Sequence, residues 1–227
     1  MKKILDDNMK QYPATTVIVI LTSVVFIAMQ LFYLPNGSSS QAVFTFGGMY
    51  GELVRYQPSQ IWRLISPIFI HIGWEHFFLN TLSIYFLGQL GERIWGSRQF
   101  LFLYLLSGIM GNIITMVFTP TVLAAGASTS IFGLFAAVIC IGRFSQNGFL
   151  RQLGQSYQAL VIFNLVFNLF TPGISLAGHL GGLLGGVLCA LFLPNKMASF
   201  PTQKIKLMGA SAYLLLALGL IGIFLLR

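Results

Sequence analysis

The sequence predicts an all-α fold, a polytopic bundle of membrane helices, and three observations carry this prediction. Of the 227 residues, 56% are hydrophobic and only 8% are charged, whereas a soluble domain has roughly 25% charged residues. The mean hydropathy is +0.81. Apolar runs of helical length recur along the chain, and about 20 such residues are enough to cross the hydrocarbon core of a bilayer.

Seven apolar runs are predicted to form these helices. They are 15–34, 75–92, 98–118, 128–143, 156–171, 177–194 and 205–226. The fourth and sixth runs are short, rich in small residues and interrupted by glycine. Because small residues allow close helix packing in membranes, we expect other helices rather than lipid to surround these two runs.

The basic residues predict the orientation of the chain. The net charge of +8 does not indicate a nucleic-acid partner, because the basic residues lie in short clusters between the apolar runs. With the N-terminus in the cytoplasm, most of them fall on the cytoplasmic side, which is the side enriched in Lys and Arg. Those inside are Lys2, Lys3, Lys10, Arg93, Arg98, Arg143, Arg151, Lys196, Lys204 and Lys206, and those outside are Arg55, Arg63 and Arg227.

The first run is predicted to remain as an uncleaved helix. Its apolar stretch of about 20 residues is longer than the 7–15 residues of a signal peptide. A short cytoplasmic N-terminus without a targeting peptide fits a multi-pass protein of a bacterial plasma membrane. The C-terminus is then extracytoplasmic.

Residues 35–74, between the first two runs, are not a simple loop. They are rich in aromatic residues, and Pro58 and Pro67 interrupt them. The segment is therefore too broken to cross the bilayer. We expect it to lie partly in the outer leaflet of the membrane.

The three histidines of the chain, His71, His76 and His179, all fall on the outer side of this topology. His76 begins the second run, Ser128 begins the fourth and His179 begins the sixth. Even-numbered runs all lead from outside to inside, so their first turns share one depth and the three side chains can converge there. Asn80 lies four residues after His76, on the same helix face and one turn deeper.

These residues are the parts required for acyl transfer. A serine nucleophile needs a base within hydrogen-bond reach, and histidine is the usual one. Asn, His and backbone N–H groups can stabilise the oxyanion of the tetrahedral intermediate. The five acidic residues lie in the cytoplasm or precede the turns in question, so a Ser–His dyad is favoured over a triad.

The glycines around His179 favour it as the base. Gly178, Gly182 and Gly186 form a small-xxx-small pattern, which lets another helix approach closely. The fourth run offers a matching small face through Ser128 and Gly133. Phe132, one turn below Ser128, is then placed to pack against the imidazole. His76 and Asn80 are left to bind the oxyanion.

Three motifs in this order resemble those of the rhomboid intramembrane serine proteases. "HIGWEHFFLN" resembles the family's His-x-x-x-Asn element, "GASTSIFG" its Gly-x-Ser-Gly nucleophile motif, and "AGHLGG" its Ala-His-x-x-Gly base motif. "WR" at 62–63 and "GERIWGS" at 91–97 fall where the family has similar elements. The resemblance covers about 50–195.

The resemblance implies a core of six helices with one C-terminal helix added. The domains would be a cytoplasmic N-terminus (1–14), a rhomboid-like core (15–194) with a membrane-embedded first loop (35–74), and a linker with the seventh helix (195–227). The loop "TPGISL" would be part of a substrate gate. The reaction would be cleavage of transmembrane segments near the extracytoplasmic face, with membrane proteins and the bilayer as partners and no cofactor.

The resemblance also implies a role for each site residue. Ser128 would be the nucleophile and His179 the general base. His76 and Asn80, with the backbone N–H of Ser128, would stabilise the oxyanion. The supporting residues would be Gly126, which shapes the turn before the nucleophile, and Phe132, which stacks on the base.

Two positions depart from the family pattern. Thr129 stands where the nucleophile motif has glycine, and Gly178 stands where alanine precedes the histidine. Threonine adds a β-branch and a hydroxyl next to the nucleophile. In a helix its side chain need not block the amide, so we expect activity to be retained.

Structural interpretations of the same residues remain open. Ser128 could be only a helix N-cap, and His179 and Asn80 could serve only as interhelical hydrogen-bonding groups. The sequence favours structural roles for a further set of polar residues, which are Arg63, His71, Glu92 and Ser130.

Two other functions are compatible with this fold. A catalytically inactive relative could bind or chaperone membrane proteins without needing Ser128. A small-solute or metal transporter is disfavoured, because no acidic residue lies at the membrane midplane and no inverted repeat is visible.

No metal site is predicted, and Cys140 and Cys189, both inside apolar runs, are predicted to be small core residues.

Overall fold

The computed structural model describes Asp7 and residues 9–171 and 173–226, and regular structure in this part is helical apart from one isolated bridge. The all-α prediction is therefore confirmed. The helices are α1 (Pro13–Phe32), α2 (Ser40–Phe46), α3 (Gly51–Tyr56), α4 (Trp74–Trp95), α5 (Ser97–Phe118), α6 (Ser128–Phe144), α7 (Gly148–Phe170), α8 (Leu176–Phe192) and α9 (Gln203–Leu225). Two 3₁₀ segments, Pro58–Leu64 and Ser66–Phe69, follow α3.

Each of the seven predicted runs coincides with a helix. Four of them, α1, α5, α7 and α9, are long and apolar enough to cross a membrane, and α6 and α8 are apolar but have only 17 residues. α4 has the length, with 22 residues, but carries Glu75, Glu92 and Arg93. These helices are those of a multi-pass membrane protein.

The largest difference from the predicted boundaries is at α7, which begins at Gly148 rather than near residue 156. The side chain of Asn147 caps this helix by accepting hydrogen bonds from the N–H groups of Phe149 and Leu150. Polar residues such as Arg151 continue the helix beyond its apolar part. Hydropathy indicates where the apolar stretch ends, whereas capping determines where the helix begins.

The two short helices, α6 and α8, lie in the centre of the bundle as predicted, and glycine brings them together. A Cβ on Gly186 would lie 2.5 Å from the Cα of Gly133, and one on Gly182 would overlap the carbonyl of Thr129. Since no larger residue fits these positions, the small-xxx-small prediction for α8 is confirmed. A second glycine row of α8, which includes Gly181 and Gly185, packs against α5 and was not predicted.

Two buried charged residues make the structural hydrogen bonds that the sequence predicted for them. Glu92 accepts hydrogen bonds from the N–H groups of Ala14 at 3.4 Å and Thr15 at 2.7 Å, so its carboxylate caps the start of α1. Arg63 donates from one guanidinium nitrogen to the carbonyls of Phe44 and Gly48, at 2.9 and 2.7 Å. Arg63 therefore holds the first loop together from within.

The C-terminal helix α9 packs on the outside of the central helices. The hydroxyl of Tyr213 donates to the carbonyl of Leu106 on α5 at 2.8 Å, and Gly209 faces Leu191 on α8. Cys140 and Cys189 are free and buried in the helix core, as predicted.

Candidate active site

Ser128 and His179 form the central contact of the site. Each lies in the first turn of a central helix, Ser128 on α6 and His179 on α8, and Ser128 Oγ is 2.8 Å from His179 Nε2. The N-cap residue of α6 is Ala127, with no side-chain capping bond. The interpretation of Ser128 as only a helix cap is therefore wrong, because its hydroxyl faces the imidazole instead.

The imidazole of His179 is held on its face as well as at its edge. The ring of Phe132, on the next turn of α6, stacks on it at 4.1 Å between centroids and an angle of 11°. Ser175 caps the start of α8 by accepting a hydrogen bond from the N–H of Gly178 at 3.1 Å. The cap fixes the first turn of α8, which carries His179.

Asn168 also belongs to the site and was not predicted from the sequence. Its side-chain amide nitrogen is 2.5 Å from His179 Nδ1, and the residue is only 8% exposed. Asn168 lies in the last turns of α7, which leads from inside to outside in the predicted topology. The signal was available, because the last turn of an outward-leading helix reaches the same depth as the first turn of an inward-leading one.

His76 borders the serine from the opposite side. A Cβ placed on Gly126 would lie 2.9 Å from His76 Nε2 and 3.6 Å from Ser128 Oγ, so the ring and the hydroxyl face the same small space. The N–H of Ile72 donates to His76 Nδ1 at 3.3 Å. Since a neutral imidazole carries one proton, this bond leaves the proton on Nε2, toward the serine.

Asn80 is buried one turn after His76 and lines the same cavity. Its amide nitrogen donates to the carbonyl of His76 on its own helix at 2.8 Å. Within the described residues its side chain makes no hydrogen bond to another helix. The interpretation of Asn80 as an interhelical link is therefore not supported by its contacts.

The first loop holds the segment that precedes Ser128. The N–H and carbonyl groups of Met49 and Ala124 pair with each other at 2.8 and 2.9 Å. The N–H of Gly126 donates to the carbonyl of Pro67 at 2.9 Å. Gly126 has a φ of 137°, a conformation that glycine adopts readily and other residues rarely.

His71 provides a further link between the first loop and the residue before Ser128. The fully buried His71 accepts a hydrogen bond through Nε2 from the N–H of Ala127 at 3.3 Å. Burial, with a smaller contribution from the charge of His76, lowers the pKa of His71 to about 3. The neutral ring is the form that can accept this bond, in agreement with the structural role predicted for His71.

A cavity of about 880 Å³ opens beside the Ser128–His179 pair. His76 and Asn80 also line it, so the structure brings the four predicted site residues to one space. Side chains of α4 and α7 form much of its remaining wall, among them Leu79, Ser83, Leu160, Asn164 and Phe167. Within the described ranges, no three His, Cys, Asp or Glu side chains are grouped so that they could hold a metal ion.

The sequence model of the Rhomboid domain matches residues 58–196. The chain belongs to the rhomboid family. The rhomboid resemblance of its three motifs is thereby confirmed.

Rhomboid relatives cover most of this chain. Rhomboid protease GluP of Bacillus subtilis (strain 168) is 37% identical over 85% of the chain, which spans 38% of GluP. YdcA of the same bacterium is 32% identical over 82% of the chain and 90% of its own length. Inactive RHOMBOID-like protein 8 of Arabidopsis thaliana is 27% identical over 75% of the chain and 50% of its own length.

The two departures from the rhomboid motifs face each other. A Cβ on Gly178 would lie 3.2 Å from Cγ2 of Thr129. Thr129 also faces Gly111 of α5, where an added Cβ would lie 2.7 Å from Cβ of Thr129. The side chain of Thr129 therefore points into the contact between α5 and α8, where glycines make room for it.

Proposed function

We propose that this rhomboid-family protein is an intramembrane serine endopeptidase that cleaves transmembrane segments of membrane proteins through a Ser128–His179 dyad. The observation that carries the proposal is the 2.8 Å contact between Ser128 Oγ and His179 Nε2 in the wall of a cavity. Membership in a family with a relative named rhomboid protease supports the reaction class.

The dyad would act by general base and nucleophilic catalysis. His179 Nε2 accepts the hydroxyl proton as Ser128 Oγ bonds to the peptide carbonyl carbon, and His179 then gives the proton to the leaving amine. A water molecule attacks the acyl-enzyme in the reverse sequence and frees Ser128. The stacked ring of Phe132 keeps the imidazole in line with Ser128 Oγ through both steps.

The oxyanion would be stabilised by three N–H donors, from the His76 ring, the Ser128 backbone and the Asn80 side chain. The bond from Ile72 leaves the proton of His76 on Nε2, which borders Ser128. The N–H of Ser128, in the first turn of α6, has no acceptor within its own helix. Asn80 contributes its second amide hydrogen, since the first is bound to the carbonyl of His76.

The substrate would enter the cavity as an unwound stretch of a membrane-spanning helix. A helical amide is already hydrogen-bonded, so its carbonyl reaches a nucleophile only after local unwinding, which small and helix-weakening residues favour. The bias of the basic residues supports an orientation in which the cavity opens to the extracytoplasmic water. Cleavage would then occur near the extracytoplasmic face of the plasma membrane.

The test is cleavage of a model single-span substrate by the purified protein in detergent, compared with Ser128→Ala. We expect the substitution to lower the cleavage rate by about 10³-fold or more, as for other serine-protease nucleophiles. Undiminished cleavage by Ser128→Ala would refute the assignment of the nucleophile. Inhibition by a chelator would favour metal chemistry instead.

An inactive binder of membrane proteins is the alternative, since one relative is named inactive. It predicts no cleavage by the wild type and no labelling of Ser128 by a fluorophosphonate. It also predicts equal capture of the substrate by the wild type and by Ser128→Ala.

A further inference from the structure

Asn168 connects the end of α7 to the candidate base on α8. Its amide is 2.5 Å from His179 Nδ1, while the opposite ring nitrogen, Nε2, faces Ser128 Oγ. Both Asn168 and His179 are less than a tenth exposed, at 8% and 6%. Because both groups are buried, little water competes for the hydrogen bond between the Asn168 amide and the His179 ring.

We propose that Asn168 is a positioning residue that determines which nitrogen of His179 carries the proton. The inference rests on the proposed function, because the tautomer matters only if His179 acts on Ser128. A neutral imidazole has one N–H group and one acceptor nitrogen. The side-chain amide of asparagine has a donor end and an acceptor end, so each end selects a different tautomer.

The two amide orientations give a resting and a competent arrangement. If the amide nitrogen donates to His179 Nδ1, the proton lies on Nε2 and the ring donates to Ser128 Oγ. If the amide oxygen accepts from Nδ1–H, Nε2 has its lone pair free and accepts the serine proton. A half-turn of the amide of Asn168 interconverts the two, and which end faces a ring is assigned from the hydrogen-bond pattern.

The competent arrangement also stabilises His179 when it is protonated. When His179 takes the proton of Ser128, it becomes an imidazolium with N–H groups at both ring nitrogens. Nδ1–H then needs an acceptor, which the amide oxygen of Asn168 supplies. Ring stacking by Phe132 fixes the plane of the imidazole but does not favour either tautomer. The tautomer of His179 is therefore selected by Asn168.

The tautomer of His179 can be measured without any substrate. Protein labelled with ¹⁵N-histidine in nanodiscs reports by NMR which ring nitrogen is protonated, and His179→Gln assigns the signals by their loss. We expect Asn168→Asp, which can only accept, to place the proton on Nδ1. We expect Asn168→Leu to give a mixture of tautomers, and the same change one turn earlier, Asn164→Leu, to keep the wild-type tautomer.

Reaction with a fluorophosphonate tests the consequence for Ser128. The other titratable side chains that line the cavity are Glu75 and His76, both on α4, and all variants retain them. A carboxylate next to the ring favours imidazolium, so Asn168→Asp should move the acid limb of the labelling profile to higher pH. Asn168→Leu should lower the labelling rate by roughly 10-fold, less than the 10²–10⁴-fold contributed by a whole general base, because the base itself remains.

The outcomes separate the two proposals. No labelling of the wild type overturns the proposed function, while the tautomer measurement still tests Asn168. Identical tautomers in wild type, Asn168→Leu and Asn168→Asp overturn the role of Asn168 even if Ser128 reacts. Since Asn168→Asp preserves the shape of the side chain, it keeps the test valid if Asn168→Leu fails to fold.

Discussion

The methyl group of Thr129 faces the Cα of Gly178, so that a Cβ added to Gly178 would lie 3.2 Å from it. Thr129 is larger than the glycine of the rhomboid nucleophile motif, and Gly178 is smaller than the alanine that precedes the base. The two departures therefore compensate for each other in volume across the contact between α6 and α8. Taken alone, each is only a departure from the family pattern.

This compensation predicts a coupling between the two positions. Gly178→Ala should be better tolerated with Thr129→Ser, which removes only the methyl, than in the wild type. The coupling energy should be about 0.5–3 kcal/mol, the range for residues in contact. The free energies of unfolding of the four proteins in one detergent give this energy.

A matched glycine provides the control for this double-mutant cycle of Gly178→Ala and Thr129→Ser. Gly219 on α9 has no atom within 4 Å of an added Cβ, so Gly219→Ala changes only helix propensity. It should show no coupling with Thr129→Ser. Purely additive effects of Gly178→Ala and Thr129→Ser would mean that the two side chains do not compete for space.

Gly126 is predicted to be intolerant of any side chain. Its φ of 137° disfavours other residues, and a Cβ would lie 2.7 Å from the His76 ring. Gly126→Ala should therefore displace His76 and lower the cleavage rate by about 10²-fold, comparable with the loss of one oxyanion donor. The rate of cleavage of the model substrate measures this effect.

Gly173 separates backbone strain from the contact with His76. It also has a positive φ, 84°, but its added Cβ meets nothing within 4 Å. Gly173→Ala should strain the backbone without moving His76 and should cost less activity than Gly126→Ala. Equal losses of activity would attribute the effect to strain alone.

The buried His71 predicts a dependence of stability on pH. Its pKa is lowered to about 3 from 6.5, so the unfolded chain binds the proton more readily. The stabilisation is complete above the unfolded pKa near 6.5 and is lost as the pH falls from there toward 3. The thermal midpoint should therefore decrease less between pH 7 and pH 5 in His71→Gln than in the wild type. Parallel decreases would show that His71 does not contribute.

Glu92 is predicted to stabilise the start of α1. Glu92→Gln leaves one oxygen for the N–H of Thr15 but turns the other acceptor into a donor and removes the negative charge at the helix N-terminus. We expect the free energy of unfolding to fall by about 1–3 kcal/mol, the cost of an unsatisfied buried group. Glu75→Gln, at an exposed position, should have a much smaller effect in the same thermal unfolding measurement.

Membrane topology explains why so much of the site was predictable from sequence. A helix that must cross the bilayer has its ends at known depths, so His76, Ser128 and His179 could be assigned to one level. Glycine spacing then indicated which helices approach closely. The order, direction and glycine spacing of the helices were enough to group these residues, without knowledge of how the other side chains pack.

Most of the parts that were missed depend on contacts without a local pattern. Asn168 is one polar residue near the end of an apolar helix: the topology gives its depth, but no local pattern indicates that it pairs with His179. The pairing of Met49 with Ala124 joins two irregular segments through backbone atoms, which every residue possesses. The second glycine row of α8 could have been predicted, since Gly181 and Gly185 show the same spacing as the row that was recognised.

Gly111 on α5 is level with Thr129, and α5 continues from there to Phe118. At 1.5 Å per residue, those seven residues place Ser128 about 10 Å from the C-terminal end of α5, measured along the helix axis. In the proposed orientation, the bundle would therefore hold Ser128 at a fixed depth along the membrane normal. A peptide bond would be chosen first by how deep in the bilayer it lies, and only then by the side chains that flank it.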